Sequence, residues 1–262
     1  MTDQRPHSHG DASQQWFEEW FNHPLYLQVY SHRDSSEASL CVETILRITG
    51  LATADITATV LDIACGAGRH AIAFARKGLD VTANDLSPFL LETARSEARR
   101  HGLDIRFNRC DMRTLRLGPE FRLIVQLFSS FGYFKTDEEE LQVLHNIASM
   151  LLPDGWYVLD LVNPAWLRSH FIPESQRSAG MLSILEKRSL SPDSVTKEIT
   201  IRDGEGATCR FTESMRLFSK DEISGMLGKA GFSVELAAGD YRGAPFLEAE
   251  SPRIILFCRK RG

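Results

Sequence analysis

No stretch of this 262-residue chain strings together the roughly 20 apolar residues that a membrane-spanning helix needs. The first ten residues, Met1 to Gly10, contain no apolar segment, so no secretory signal is expected. They read as a disordered tail, and His7 and His9 lie there without a Cys or carboxylate cluster to complete a metal site. The five cysteines (Cys41, Cys65, Cys110, Cys209, Cys258) form no CxxC pair. That excludes a zinc site of the usual spacing and a disulfide framework, and fits reduced core residues of a cytoplasmic protein. Positive charge is also scarce, with a formal net charge of −5. Phosphate neutralisation by a basic surface drives nucleic-acid binding, so a nucleic-acid partner is not expected. The most basic stretch, Arg95 to Arg106, reads as the solvated face of a helix. There is no internal repeat and no low-complexity segment beyond the tail.

What is present suits a soluble α/β protein. Hydrophobic residues make up 43% and charged residues 25%, enough for one large domain with an elaboration or two small ones. The organising stretch is Val60 to His70. Val60 to Ile63 reads as a buried strand, Gly66 and Gly68 as a turn, and Ala71 to Lys77 as a helix. Glycine there lets a ligand approach backbone at the carboxyl end of a strand. Asp85 closes the next apolar run, about twenty residues on, where a carboxylate commonly accepts the ribose hydroxyls of a nucleotide-like cofactor.

In chain order, residues 11–50 read as an N-terminal helical cap of three helices, with Ser35 capping the third and Gly50 ending it. Trp16 and Phe17 are expected to pack on the sheet edge. Tyr26, Tyr30 and Arg33 share a face and are candidates for a lid over the cofactor. Residues 51–262 read as the cofactor-binding domain. Strands are expected at Thr59–Ile63, Asp80–Asn84, Asp104–Asn108, Leu123–Phe128 and Trp156–Val162, separated by helices, with Pro153-Asp154-Gly155 as a turn. Alternation at this spacing predicts a parallel sheet covered on both faces. It fails at about 170–218, where Met181–Arg188, Ser194–Arg202 and Ala207–Leu217 read as an antiparallel β insertion. A helix at Lys220–Ala230 and strands at Ser233–Ala237 and Ile254–Cys258 complete the chain.

Four motifs in order carry a family resemblance. Asp62-Ile-Ala-Cys-Gly66-Ala-Gly68-Arg69-His70, Asp85-Leu-Ser-Pro88, Cys110-Asp111-Met112-Arg113 and Leu151-Leu-Pro-Asp-Gly155 resemble those of the class I S-adenosylmethionine-dependent methyltransferases, small-molecule type. The likeness covers about Val60 to Val162 and the final helix and two strands. It departs where the family often has a first glycine and this chain has Ala64. The resemblance implies a Rossmann-like, seven-stranded, mostly parallel sheet with the last strand antiparallel, and S-adenosylmethionine as cofactor. It implies that Gly66 and Gly68, with Ala64 and Cys65 in the same turn, admit the amino-acid end of the cofactor and that Asp62 lies near its ammonium. Asp85 would accept the ribose hydroxyls and Asp111 the adenine amine. Met112 and Leu86 would cover the adenine faces, and Phe128 and Ser129 would lie near the sulfonium.

The implied reaction is methyl transfer to an O, N or C atom of a small-molecule acceptor. Candidate acceptor-site residues are Tyr26, Tyr30, Arg33, Tyr133, Asn163, Arg216 and Tyr241, with Arg33 or Arg216 able to hold a carboxylate. Gln126 to Tyr133 contains neither the Asp/Asn-Pro-Pro-aromatic motif of DNA amino-methyltransferases nor the Pro-Cys of cytosine-C5 enzymes. The alternatives are action on RNA or protein, a cofactor-binding protein without catalysis, and a nicotinamide dehydrogenase sharing the glycine turn. No metal is expected, and the oligomeric state is open.

Overall fold

A computed structural model describes residues 15–31, 35–51 and 58–261. The expected tail at 1–10 and the candidate Arg33 lie outside the described residues. Three helices come first: α1 (Trp16–Trp20), α2 (Leu25–Val29) and α3 (Ser35–Thr49). Strands and helices then alternate: β1 (Thr59–Ile63), α4 (Arg69–Arg76), β2 (Asp80–Asp85), α5 (Pro88–Arg100), β3 (Ile105–Arg109), β4 (Phe121–Gln126), α6 (Asp137–Met150), β5 (Leu151–Val162) and α7 (Pro164–Ser169). Four strands follow, β6 (Glu174–Ala179), β7 (Leu182–Leu190), β8 (Ser194–Arg202) and β9 (Thr208–Arg216), and the chain closes with α8 (Lys220–Lys229), β10 (Phe232–Ala238) and β11 (Arg253–Lys260).

The main sheet has seven strands in the order β10-β11-β5-β4-β1-β2-β3. β1 pairs in parallel with β2 and β4, and β11 runs antiparallel to β5 and β10. The expected fold class is therefore what the chain adopts. Four of the five residues of β1 are buried, as a central strand covered on both faces requires. One face packs against α3 and α4 through Ile45, Phe74 and Val125, and the other against α6 and α8 through Ile124, Ile147 and Leu227. Helix starts follow local chemistry. Ser87 accepts from the Leu90 amide with Pro88 behind it, Thr136 accepts from the Glu139 amide before four acidic residues, and Ser219 and Glu222 form a reciprocal capping box.

The insertion is a separate antiparallel sheet in the order β6-β7-β8-β9. Its inner face buries Ile184, Ile199 and Phe211 against Trp20 and Val29 of the N-terminal helices, with Trp20 and Phe211 stacked at 4.3 Å. Trp20 thus packs on the insertion, whereas Phe17 joins the main-sheet core beside Tyr133 and Phe134, past the end of β4, and Trp16 touches both clusters, instead of the sheet edge expected for Trp16 and Phe17. β6 was not anticipated: Glu-Ser-Gln-Arg-Ser-Ala is a polar edge strand without an apolar signal. The Pro153–Gly155 turn proves to be an irregularity inside β5, where Asp154 has φ +56° and the register to β4 shifts. Among the described residues no helix is long and apolar enough to cross a membrane.

Candidate active site

From β1 the chain builds outward to β2 and β3 on one side and to β4 and β5 on the other. The carboxyl ends of β1, β2 and β4 therefore face a crevice at the topological switch point, the usual ligand position in such sheets. A cavity of about 890 Å³ opens there, roofed by α1, α2 and the inner face of the insertion.

The turn after β1 is left-handed at Ala64, Gly66 and Gly68, with φ of +54°, +57° and +80°. Gly68 is doubly constrained, since a Cβ would stand 2.8 Å from that of Ala94 on α5. At Gly66 a Cβ would meet nothing within 4 Å, and the residue lines the cavity. Its amide donates to Asp85 Oδ2 at 2.7 Å, and the Ser87 amide donates to Asp85 Oδ1 at 2.9 Å. Asp85 thus ties the glycine turn to the end of β2. Burial pushes its carboxyl up, and the amides of Ser87, Gly66 and Leu86 work against that shift. Asn84 carries the tie onward, accepting from Asn108 Nδ2 at 2.8 Å and donating to Cys110 O at 3.0 Å. Asp62, only 1% exposed, lines the same cavity. Among the described residues its Oδ2 has no hydrogen-bond partner, and burial pushes its carboxyl up to about 8.

Beyond β3, Asp111 accepts from the Arg113 amide at 2.8 Å and pairs with its guanidinium at 2.6 Å. Arg113 also reaches Glu139 at 2.7 Å. Asn146 donates to Met112 O at 3.0 Å, and Gln126 Nε2 donates to Met112 Sδ at 3.3 Å. Asp111 and Met112 line the cavity in a pinned loop.

The turn after β4 is strained. Phe128 and Ser129 have φ of +62° and +61°, conformations in which a non-glycine residue must be held. Asp160, fully buried on β5, does the holding. Its Oδ2 accepts from the Phe128 amide at 2.8 Å, and its carbonyl accepts from the Ser129 amide at 3.1 Å. Arg253 pairs with Asp160 Oδ1 at 2.6 Å and donates to Ser129 Oγ at 2.9 Å, while Tyr241 donates to Asp160 Oδ2 at 2.8 Å. The guanidinium of Arg69 lies 5.1 Å from the Phe128 ring centroid. Farther along, Glu140 accepts from the Phe134 amide at 2.9 Å, so the β4–α6 loop is held at both ends by buried carboxylates.

A methyltransferase domain model matches residues 60–155, the segment that carries the glycine turn and the β4 turn. The chain is 28% identical over 196 residues to a dTDP-3-amino-3,4,6-trideoxy-alpha-D-glucopyranose N,N-dimethyltransferase of Streptomyces venezuelae, covering 71% of this chain and 79% of the relative. An S-adenosylmethionine-dependent methyltransferase from Clostridium acetobutylicum superposes with a TM-score of 0.78 at 19% identity, over 92% of this chain and 98% of the other. An S-adenosylmethionine-bound amino pentose methyltransferase from Micromonospora echinaspora superposes with a TM-score of 0.66 at 21% identity, over 91% of this chain and 99% of that one. These comparisons support an S-adenosylmethionine-dependent methyltransferase whose matched domain spans residues 60–155.

The cavity fits the cofactor of these methyltransferases. The orphaned Asp62 Oδ2 is an acceptor waiting for a donor, and the open space over Gly66 admits a ligand against backbone. Among the described residues no group of three or more His, Cys, Asp or Glu side chains is arranged to hold a metal ion. Of the sequence candidates, Asp62, Ala64, Cys65, Gly66, Asp85, Leu86, Asp111, Met112 and Phe128 all line the cavity, and Gly68 supports the turn from behind. Tyr26, Tyr30 and Tyr133 line it too.

Three acceptor candidates do not reach the cavity. Asn163 caps α7, accepting from the Ala165 amide while its Nδ2 donates to the carbonyls of Glu248 and Ser251, both at 2.7 Å. Arg216 turns to Asp137 and to the face of Phe218. Tyr241 is spent on Asp160. Sequence reasoning missed Asp160 and Arg253, whose two strands are antiparallel neighbours although the two residues are 93 positions apart in the chain. It also missed Arg188, Lys197 and Glu213, inward-facing polar residues on the insertion whose alternation with apolar neighbours was the available signal.

Proposed function

We propose that this methyltransferase alkylates a nitrogen of a small organic acceptor bound between the β4 turn and the insertion. The single observation that carries the reading is the two-ended cavity. One end is lined by Asp62, Gly66, Asp85 and Asp111, and the other by Tyr26, Tyr30, Val195 and Met215 from the roof. A volume of about 890 Å³ suits a cofactor and a modest second molecule together. The choice of nitrogen rests on the amino-sugar acceptors named for the Streptomyces venezuelae and Micromonospora echinaspora proteins.

In this reading Asp85 accepts the ribose hydroxyls with the lone pairs that the Gly66 and Ser87 amides leave open. Asp62 meets the ammonium of the methionine end, and Asp111 the adenine amine. When bound, S-adenosylmethionine supplies an electrophilic methyl group. The protein's task is to align the acceptor and exclude water. The strained Phe128–Ser129 turn walls the reacting centre, and Trp16, in edge contact with both Phe21 and Tyr133, closes it with them from above. An acceptor amine that arrives neutral needs no general base. Cys65 is no nucleophile, because burial pushes its thiol well above the ordinary range. Five unpaired cysteines support a cytoplasmic location.

The test is transfer of labelled methyl from S-adenosylmethionine to pooled small amines. Label in a small-molecule product supports the reading. Label only in RNA or protein, or cofactor binding without transfer to any pool, contradicts it.

A further inference from the structure

The roof end of the cavity carries more positive charge than its own partners balance. On the inner face of the insertion, Lys197 pairs with Glu213 at 2.5 Å, and Tyr30 and Trp20 donate to the same carboxylate at 2.5 and 2.6 Å. That pair is closed. Arg188 is different. It and Arg177 both face one carboxylate, Glu186, which is 6% exposed. Among the described residues, two partly buried guanidinium groups face this one carboxylate, which leaves one positive charge without a counter-charge.

The donors of Arg188 are likewise incompletely used. Nη1 donates to Ile172 O and to Ser175 Oγ at 3.0 Å, and Nη2 donates to Glu186. Among the described residues three of its five N–H groups are engaged, leaving Nε–H and one Nη2–H. Arg188 lines the cavity beside Leu167, Val195 and Met215, an apolar bed next to a charged fork. A planar fork of this kind recognises carboxylate or phosphoryl oxygens.

We infer that Arg188 is the anchor of an acceptor subsite for an anionic group, carboxylate or phosphate, on a molecule whose apolar body lies against Val195 and Met215. This rests on the proposed methyltransferase reading of the same cavity. The acceptor then carries an acidic group at one end and its methylated atom toward Phe128 at the other.

The full-length protein, saturated with S-adenosylhomocysteine, is titrated calorimetrically with benzoate, with its neutral isostere benzamide and with inorganic phosphate. Benzoate is expected to bind about tenfold or more tightly than benzamide, the scale of a charge-assisted hydrogen bond. Arg188→Met abolishes the preference, and Glu186→Gln, which frees the fork while keeping a side-chain acceptor, strengthens it. Opposite responses of two neighbouring variants cannot come from loss of folding. Phosphate binding that depends equally on Arg188 assigns a phosphoryl group, and its absence beside bound benzoate assigns a carboxylate. Benzamide binding as tightly as benzoate, or a preference unchanged in both variants, overturns the assignment. Failure of S-adenosylhomocysteine to saturate the wild-type protein contradicts the underlying methyl-donor reading instead.

Discussion

Ala64 sits in a left-handed conformation, φ +54°, at the place where related turns often have glycine. For an L-residue that conformation costs about 1–2 kcal/mol, and a glycine would return about 0.5–1 kcal/mol of this as extra unfolded-state entropy. Ala64→Gly is therefore expected to stabilise the protein modestly, raising the melting temperature by about 1–4 °C in thermal unfolding. A lower melting temperature would show that the alanine methyl makes contacts worth more than the strain. His70, 7% exposed and beside the cavity, gives a pH signature. Burial, with the Arg69 charge next to it, lowers its pKa to about 3, against an ordinary 6.5. Between those values the folded state binds fewer protons than the unfolded state, so stability rises with pH there. The contribution is complete above about pH 6.5 and is lost as pH falls toward 3. Asp62 acts in the other direction: raised to about 8, its carboxyl favours the folded state at low pH and loses that contribution as pH rises from about 4 to 8. His70→Gln isolates the first effect. Its melting temperature should fall less than that of the wild type between pH 6.5 and 5, and an identical fall would remove His70 from the acid response.

At the scale of elements, β4, β5 and β11 meet at one buried pair. Asp160 and Arg253 hold the turn that the Phe128 and Ser129 backbone would not adopt unaided. Removing one member of such a pair strands the other and costs about 3–5 kcal/mol, while removing both costs less. Arg253→Met should therefore destabilise strongly in urea unfolding, and Asp160→Asn combined with Arg253→Met should recover part of the loss. Strict additivity would mean that the two side chains act independently. In an enzyme that still folds, Arg253→Lys keeps the charge but loses the fork, and kcat should fall more than KM rises if the turn walls the reacting centre as proposed. This pair shows where sequence reading stops. Asp62, Asp85 and Asp111 were legible because the first two sit at the carboxyl ends of β1 and β2 and the third just past β3, positions spaced by successive βα units. Asp160 and Arg253 gave no such signal, since their pairing depends on β11 inserting antiparallel beside β5. Asn163 misled for the converse reason: a polar residue after a strand looked like a ligand, yet it caps a six-residue helix too short to show a period.

On the scale of the whole molecule, a parallel sheet covered on both faces was readable from the alternation of apolar runs, whereas the strand order and the roof were not. The inner face of the insertion is defined only by what packs on it, Trp20 and Val29 from the other end of the chain. Its polar edge strand β6 carries no apolar pattern at all. The proposed activity requires the cavity at the ends of β1, β2 and β4 to hold S-adenosylmethionine with its ribose on Asp85. The most direct measurement is calorimetric titration of S-adenosylhomocysteine into the wild-type protein and into Asp85→Ala, with circular dichroism to establish that both are folded. The wild type should bind, and the variant should lose about 1.5–3 kcal/mol of affinity, the worth of charge-assisted hydrogen bonds. A folded variant with unchanged affinity, or a wild type that does not bind, would contradict the account.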